Sequence, residues 1–467
     1  MNTLQEHTQK IKKLQKEIRQ RRGSTPLSFV HGKGHSNTTR SKSYNRDTSS
    51  LICNTLNQVI KLDRGKQRIC VEPRVTMEEL VAATLPFGLL PSVIAEFKGI
   101  TVGGAIMGGA AESSSHRQGI FHDHCTEVHI FNGKGEIVRA SPQENVDLFY
   151  GLSGSYGSFG LLVSAEIQLI PVKNAVLLTY HTFSNAQDAL QQMQDMVETC
   201  DFLDGILFSK EHAVIISGRF VDATAVSALS QASWFAQKVK DNRAETLMPL
   251  FDYLFRYDQG AFWMGAFLFS LPFLTRFIGQ GVLNIWPNKG RFTPKEVEQF
   301  KHLPFPGKFF TTLARPFMNS QCLWGLLHKA EKWIQERLII QDFCIPSPQA
   351  AHFLDQILND PGTFPIWLCP IKGTYQPQFL APHFGHPSFI NFGIYGSPSH
   401  AAPMQLMMKK LEHITQNLGG RKVLYSRSYY NEDTFWKIYS KKDYEHLRKK
   451  MHAAGVWRHL TEKVLSE

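Results

Sequence analysis

The sequence predicts an α+β fold, and three observations carry this prediction. Strand-like runs rich in β-branched residues (QRICVEP, TEVHIFN, EIVRAS and LLVSAEIQLIP) fill the first third of the chain. The helical stretch MEELVAATLPFG lies between two of these runs, and two helical patterns, NAQDALQQMQDMVETC and AVSALSQASWFAQKVKDN, follow Pro171. Helices and strands that mix in this way, without a regular βαβ series, are typical of α+β proteins.

Composition limits the class of protein and the kind of ligand. The 467 residues are 43% hydrophobic and 19% charged, which describes a globular protein with room for more than one domain. The aromatic share of 12%, including 33 phenylalanines, suggests large apolar pockets. A formal net charge of +11 favours anionic partners, whether nucleotide phosphates, nucleic acid or acidic lipid.

The N-terminus and the cysteines indicate a cytoplasmic setting. Seven cysteines include no CxxC pair, and no apolar signal-peptide core precedes them, so we expect a reducing compartment. The first 22 residues read as a basic amphipathic helix with Leu4, Ile11, Leu14 and Ile18 on one face. We expect this helix to pack on its own domain, and the alternative is docking to an anionic membrane or another partner.

One apolar region admits three interpretations. Residues 259–275 carry no charge, and Arg276 is the next charged residue. Pro272, several glycines and the lone Arg276 argue against a single membrane-spanning helix of about 20 apolar residues. We favour a segment lying on a membrane surface over a buried helix pair of a substrate domain, and therefore expect peripheral membrane contact.

Three glycine-rich stretches indicate a phosphate-bearing ligand. VHGKGHSNTTR (30–40) follows a strand-like run, where glycines suit either an ordinary turn or a nest of backbone N–H groups around a phosphate. GITVGGAIMGGAAESSSHRQG (99–119) and GLSGSYGSFGLLVSAEIQLIP (151–171) follow later. A β-rich run follows the last glycines where a Rossmann fingerprint requires a helix, which excludes that type of dinucleotide site. The remaining interpretation is a flat, multiply charged ligand that the backbone approaches from several sides.

The ordered motifs GKGHS, TVGG and GSFG resemble the FAD-binding domain of the vanillyl-alcohol oxidase superfamily, the PCMH-type domain. The resemblance implies FAD, bound by a two-lobed domain (1–172) and a returning C-terminal segment (422–467), with a cap or substrate domain (173–421) of antiparallel sheet and helices. It assigns the pyrophosphate to His31, Gly32, Lys33, Gly34, His35 and Ser36, with Thr101, Val102, Gly103 and Gly104 beside it. It places Ser113, Ser114, His116, Gln118 and Gly119 along the flavin, with Phe159, Gly160 and Val163 beyond.

Later motifs narrow the resemblance. IAEFKGITVGG, AESSSHRQGIF, ENVDLFY, IIQDFCIP, FPIWLCPI, FGIYGSP and FWKIYSKKDYEHLRKKM are similar, in this order, to the delta-24 sterol reductase or Diminuto branch. This similarity implies an enzyme that takes hydride from NADPH through FAD and reduces a C=C bond in the side chain of a sterol or related lipid. His35 departs from the pattern, because oxidases of sugar lactones and polyols carry a flavin-linked histidine there. The alternative is therefore an FAD-linked alcohol, aldose or lactone oxidase with flavin linked to His35.

Reduction of an unactivated alkene also needs a proton donor and a dry pocket. The candidate acids are Glu96, Tyr395, Tyr425 and Tyr444, each of which equally suits a structural hydrogen bond. Gln341, with its neighbour Asp342, is a candidate for orienting the ring or substrate, or only for capping a strand.

Metal and nucleic-acid functions are not expected. The histidine-rich stretch before residue 130 has two histidines at i, i+2 but lacks a third ligand at a recognisable spacing, so we predict no metal. Its members are His116, His122, Asp123, His124 and His129. Lysines and arginines are dispersed beyond residue 22, and no RNA or DNA motif occurs, so a non-enzymatic basic protein that binds lipid or nucleic acid has little support.

Overall fold

The computed structural model describes residues 3–21, 25–30, 38–40, 43–45, 47–53, 55–224, 235–241, 245–264, 319–329, 335–399 and 403–465. Their strands form two antiparallel sheets and one short parallel pair, with helices between and over them. The predicted α+β class is confirmed. The domain boundaries at 172 and 421 stay a prediction.

The smaller sheet is built from the first third of the chain. Its strands run in the order β3-β4-β8-β6-β7, with β5 paired to β8, and the parallel pair β1-β2 stands beside it. The strands are β1 (Leu27–Val30), β2 (Ser49–Ile52), β3 (Val59–Asp63), β4 (Arg68–Val71), β5 (Leu89–Pro91), β6 (Cys125–Phe131), β7 (Ile137–Ala140) and β8 (Leu161–Pro171). The four strand-like runs found in the sequence correspond to β4, β6, β7 and β8.

The larger sheet has eight strands in the order β12-β9-β11-β10-β14-β15-β13-β16. They are β9 (Ala175–Phe183), β10 (Phe202–Ser209), β11 (His212–Val221), β12 (Thr246–Pro249), β13 (Ile339–Pro346), β14 (Ile366–Lys372), β15 (Ser388–Gly396) and β16 (Arg421–Lys422). Every pairing in this sheet is antiparallel. Such a sheet needs no crossover helix, so its two faces are free to contact different partners.

Helices connect and cover the sheets. They are α1 (Thr3–Arg19), α2 (Met77–Thr84), α3 (Val102–Gly108), α4 (Ser115–Gln118), α5 (Val146–Gly151), α6 (Ala186–Asp195), α7 (Phe235–Asp241), α8 (Leu250–Leu254), α9 (Ser320–Lys329), α10 (Ala350–Asn359), α11 (Met404–Asn417), α12 (Glu432–Ile438), α13 (Lys441–Lys450) and α14 (Leu460–Val464). The predicted helix MEELVAATLPFG is α2, which begins with a capping box between Thr76 and Glu79.

The two faces of the larger sheet bury different residues, because side chains alternate along a strand. Ile339, Phe343 and Leu368 pack with apolar side chains of α6, α10 and α11 in one core cluster. Ile340 and Trp367, one position along, belong to the other cluster, which continues into the smaller sheet. The second face of the larger sheet therefore meets the first third of the chain, and the candidate site lies at this junction.

Helix α1 packs on the fold, as expected. Ile11, Leu14 and Ile18 are buried, whereas Leu4 is exposed. His7 and Lys10 bind the fully buried carboxylate of Glu72 at 2.7 and 2.9 Å. The apolar face of α1 is thus used within the protein.

The apolar region predicted to touch a membrane lies mostly outside the described residues, since only 259–264 of it is described. Within the described part of the protein, no helix combines the length and the hydropathy that crossing a bilayer requires.

Candidate active site

A cavity of about 770 Å³ lies where the smaller sheet, the inner face of the larger sheet and the last 45 residues meet. The glycine-rich stretches form one wall, strands β13, β14 and β15 form another, and residues 423–463 close the third side. The glycine-rich stretches, strands β13 to β15 and the C-terminal segment, which contain the FAD-type motifs and the later motifs, therefore line the same cavity.

Glycines let the backbone approach the cavity closely. A Cβ atom on Gly160 would lie 2.2 Å from the carbonyl oxygen of Phe131, so only glycine fits where β8 begins. A Cβ atom on Gly103 would lie 2.9 Å from the Cβ atom of Pro73. Thr101 caps α3 by accepting a hydrogen bond from the backbone N–H of Gly104 at 3.2 Å. These contacts explain the glycines of TVGG and GSFG by close packing around the cavity wall.

Positive charge gathers in one part of the wall. Arg40, Arg458 and Lys463 line the cavity, and Arg40 and Lys463 are almost fully buried. Lys463 Nζ donates to the carbonyl oxygen of Tyr156 at 2.9 Å, and the Arg40 guanidinium lies 4.2 Å from the centre of the Tyr156 ring. Burial and the charge of Arg40 lower the pKa of Lys463 to about 7.

A buried carboxylate with three hydrogen-bonding neighbours lies on the wall formed by β13, β14 and β15. Asp342 accepts from Asn391 Nδ2 at 2.7 Å and from the Tyr395 hydroxyl at 2.8 and 3.0 Å, and Tyr425 donates to it as well. Burial raises the pKa of Asp342 and outweighs these hydrogen bonds, which lower it. Burial beside this acid also holds the pKa values of both tyrosines well above 10.

Glu96 is a second acid on the cavity wall. Its side chain is partly exposed, and it lines the cavity together with Asp342. Burial, reinforced by repulsion from Glu112, raises its pKa to about 8. Glu96 is therefore mostly protonated at neutral pH and carries a proton that it can donate.

An ionic cluster links the glycine wall to the larger sheet. Arg256, with a fully buried side chain, contacts Glu112 at 3.1 Å and Asp204 at 2.9 Å. Asp204 also accepts from the Tyr257 hydroxyl at 2.7 Å and from Trp367 Nε1 at 3.1 Å. Because removing one partner would leave buried charges uncompensated, the ion pairs hold Asp204 in place. The hydrogen bond from Trp367 to Asp204 in turn fixes the position of Trp367 at the cavity.

The remainder of the wall near Glu96 is aromatic. Phe262 stacks on Tyr257 at 4.3 Å and lies 5.4 Å from Trp367 and 5.6 Å from Phe97, measured between ring centres. Met264, Ile340, Ile371 and Trp324 extend this apolar surface. The cavity thus combines a cationic part, buried acids and a large apolar part.

Seven residues predicted for the site line this cavity. They are Glu96, Thr101, Gly103, Gly104, Gly160, Tyr395 and Tyr425. They come from four separate stretches (96–104, 160, 395 and 425), so the fold brings together residues that the sequence offered separately. Their roles toward a ligand stay predictions.

Other predicted residues do not line it. Gln341 points to the far side of β13 and donates to the carbonyl oxygens of Asp342 and Val423, at 2.8 and 3.1 Å. The Tyr444 hydroxyl accepts from the backbone N–H of Leu460 at 2.7 Å, at the start of α14. Both therefore have structural partners away from the cavity.

The ESSSHRQG stretch also faces elsewhere. Ser113 contacts the Tyr253 hydroxyl at 2.9 Å, Ser114 donates to the carbonyl oxygen of Ser92 at 2.7 Å, and the His116 ring lies between the carbonyl oxygens of Ser113 and Cys200. The other residues of the predicted site that are absent from the cavity wall are Val102, Gln118, Gly119, Phe159 and Val163. The predicted pyrophosphate residues His31 to Ser36 lie outside the described residues.

Sequence reasoning missed Arg40, Lys463 and Asn391 and gave Asp342 only a secondary part. The position of Asp342 could have been recognised from the sequence. Side chains alternate along a strand, so Asp342 must point to the opposite face of β13 from its neighbour Gln341. Arg40 ends the VHGKGHSNTTR stretch but received no role, Lys463 belongs to no motif, and the two meet only in the folded protein. Among the described residues, no group of three or more His, Cys, Asp or Glu side chains is placed to hold a metal ion.

Comparison with known proteins identifies the class of the N-terminal part of the chain. Residues 6–141 match the model of the FAD binding domain, so the protein has a domain of this class. Over nearly its whole length it is similar to delta(24)-sterol reductases. The human enzyme is 27% identical, with 98% of this chain and 86% of the human protein covered, and the Arabidopsis thaliana enzyme is 26% identical, with 85% and 73% covered. The resemblance stated from the sequence is confirmed.

A further similarity covers a smaller part of the chain. Cytokinin dehydrogenase 9 of Oryza sativa is 26% identical over 139 residues, which is 29% of this chain. Similarity to the reductases thus extends over far more of the chain.

The residues around the cavity fit FAD. The cavity of about 770 Å³ has room for a large ligand, and the buried cations Arg40 and Lys463 suit a diphosphate. When bound, FAD supplies hydride transfer, so the protein is left to bind, orient, exclude water and move a proton.

Proposed function

We propose that this protein reduces a C=C bond in the side chain of a sterol or related lipid, with FAD as cofactor and NADPH as hydride donor. The similarity to delta(24)-sterol reductases over 98% of the sequence supports the reaction. The observation that carries the proposal is a single cavity that joins cations, acids whose pKa values are raised and an aromatic surface. Such a combination suits a charged cofactor and an apolar substrate side by side.

We assign the proton-donating role to Glu96. Adding a hydride to one alkene carbon leaves the other in need of a proton, and a carboxyl group with a pKa of about 8 holds one at neutral pH. Tyr395 and Tyr425 keep their protons as well, and Asp342 fixes the direction of both hydroxyl groups. In this proposal they supply or relay the proton to Glu96 after each turnover.

We assign cofactor binding to the wall formed by Thr101, Gly103, Gly104 and Gly160, together with the predicted loop of His31 to Ser36. The apolar surface of Phe97, Phe262, Trp324 and Trp367 holds the lipid and excludes water from the reacting carbons. The Glu112–Arg256–Asp204 cluster keeps Trp367 in place.

Isotope labelling tests the reaction directly. With NADPH deuterated at the transferable position, the product should carry one deuterium on one former alkene carbon. With unlabelled NADPH in D₂O, the adjacent carbon should carry the deuterium instead. Formation of hydrogen peroxide from a polyol, with no reduced sterol, would favour the oxidase alternative.

We also propose a cytoplasmic protein with peripheral membrane contact, because a sterol-like substrate resides in membranes. The uncharged stretch 259–275 is the segment that we expect to touch the bilayer. Flotation of the protein with liposomes of anionic lipid at low salt tests this, and protein that stays wholly at the bottom of the gradient would contradict it.

A further inference from the structure

We propose that Arg40 and Lys463, from opposite ends of the sequence, form the binding site for the diphosphate of FAD. This inference rests on the FAD part of the proposed function, but not on NADPH or on the sterol. Arg40 ends the first glycine-rich stretch (30–40) but lies outside the residues assigned to the pyrophosphate from the sequence, and helix α14, which carries Lys463, lies far beyond the FAD binding domain match at 6–141.

Both cations are buried without a counter-charge. Arg40 is 7% exposed and Lys463 is 8% exposed, and both line the cavity. Among the residues that the structure describes, neither has a carboxylate within ion-pair distance. The nearest acid in sequence, Glu462, pairs instead with Arg458 at 3.0 Å.

The partners that these cations do have leave several of their donors unused. Arg40 donates a hydrogen bond to the carbonyl oxygen of Leu424 at 2.6 Å and also interacts with the side chain of Tyr156, whereas its buried Nε has no acceptor among the described residues. Lys463 donates to the carbonyl oxygen of Tyr156, and its ammonium group lies 5.6 Å from the centre of the Phe29 ring. An ammonium and a guanidinium can donate three and five hydrogen bonds, so several remain for a ligand.

Electrostatic repulsion between the two cations favours an anion at this site. Burying an unpaired charge is unfavourable, and two such charges in one cavity also repel each other. The lowered pKa of Lys463, caused by burial and by the charges of Arg40 and Arg448, reflects this repulsion. Uptake of an anion therefore lowers the free energy of a cavity with this arrangement.

The glycine wall identifies the anion. The backbone that Lys463 contacts, at Tyr156, belongs to the GSYGSFG stretch, and Gly157 and Gly160 of that stretch line the same cavity. The anionic ligand should therefore be the one that the glycine wall accommodates. A diphosphate carries about two negative charges and several acceptor oxygens, which matches two buried cations with unused donors.

Lys463→Met tests the inference, because methionine is buried readily and removes the charge together with the hydrogen-bond donors of the ammonium group. FAD should bind the full-length, flavin-depleted variant about 10- to 100-fold more weakly than it binds the wild type, measured by flavin fluorescence. ADP, used as a competitor, should weaken by a similar factor. Lys463→Arg keeps the charge and should stay within a few-fold of wild type.

Thermal unfolding separates a binding role from a structural one. Without FAD, Lys463→Met should unfold at the same temperature as wild type or higher, because a repelled buried charge has been removed, and excess FAD should raise its unfolding temperature less. Lys450→Met is the matched control. Lys450 is an exposed lysine that pairs with Asp147, away from the cavity, and its loss should leave FAD affinity unchanged.

Three results would overturn the inference. They are an unchanged FAD affinity in Lys463→Met, a flavin-free variant that unfolds well below wild type, or a weakened affinity for NADPH alone. Absence of sterol reduction would contradict the proposed function but would leave these FAD-binding results intact.

Discussion

Replacing Glu96 with glutamine removes an acid whose titration the fold shifts strongly. The pKa of Glu96 is raised from 4.5 to about 8. Below pH 4.5 the group is protonated in both the folded and the unfolded states, so it has no pH-dependent effect. Between 4.5 and about 8 the unfolded state ionises first, and the folded state therefore loses stability as the pH rises through this window.

The size of the effect follows from the two pKa values. Each pKa unit corresponds to about 1.36 kcal/mol, so the full penalty is at most about 5 kcal/mol above pH 8. Water that reaches the partly exposed side chain through the cavity reduces this value. Glu96→Gln should thus gain stability relative to wild type at about pH 9 but not near pH 4.

Urea unfolding at both pH values measures this difference, and Glu79→Gln is the matched control. Glu79 also lines the cavity, and its carboxylate completes the capping box of α2. Because glutamine is accepted at this capping position, Glu79→Gln should change stability little and equally at both pH values. Equal shifts for the two variants across the pH range would refute the account of Glu96.

The activity of the Glu96 variant should change as well. If Glu96 donates the proton, Glu96→Gln should lower the rate of alkene reduction by about 10²- to 10⁴-fold. The wild-type rate should fall as the pH rises above about 8, since the donor is then ionised. A variant with the wild-type rate and pH profile would refute this role.

Three further predictions concern the framework of the site. Gly160→Ala should lower the free energy of unfolding by about 1–3 kcal/mol or more, because its Cβ would collide with the carbonyl oxygen of Phe131, whereas Gly99→Ala, with open space around it, should be neutral in the same urea titration. Arg256→Met should cost about 3–5 kcal/mol, because its two buried carboxylate partners lose their counter-charge; a wild-type unfolding midpoint would contradict this. Burial lowers the pKa of His122 from 6.5 to about 4, so this residue destabilises the fold as the pH falls through that window. Between about pH 7 and about pH 4, the free energy of unfolding of His122→Phe should therefore fall by up to about 3 kcal/mol less than that of wild type. The same pH dependence of stability in both proteins would contradict this prediction.

The sequence predicted the cavity wall best where backbone geometry is decisive. TVGG and GSFG contain glycines at positions where a Cβ atom would collide with Pro73 or Phe131, so glycine spacing alone marked them. The strand runs of the first third were equally readable, because β-branched residues and turn residues alternate there.

The sequence was less informative where function depends on which side of a strand a residue faces, or on contacts between distant segments. Gln341 and Asp342 are neighbours, and only the register of β13 with β15 shows that Asp342 meets Tyr395. Arg40 and Lys463 are separated by more than four hundred positions, and no local pattern relates them. In the ESSSHRQG stretch, the hydroxyl groups of Ser113 and Ser114 contact Tyr253 and the carbonyl oxygen of Ser92, contacts that the sequence did not indicate, and the role of this stretch along the flavin stays a prediction.

Anaerobic reduction of the bound flavin tests the central claim most directly. Purified protein is mixed with NADPH without oxygen, and a sterol with an unsaturated side chain is added afterwards while the visible absorbance of the flavin is followed. The account predicts bleaching by NADPH, recovery of the absorbance on addition of the sterol, and a sterol product whose side chain is saturated. Flavin that NADPH leaves oxidised and that a polyol bleaches would contradict it.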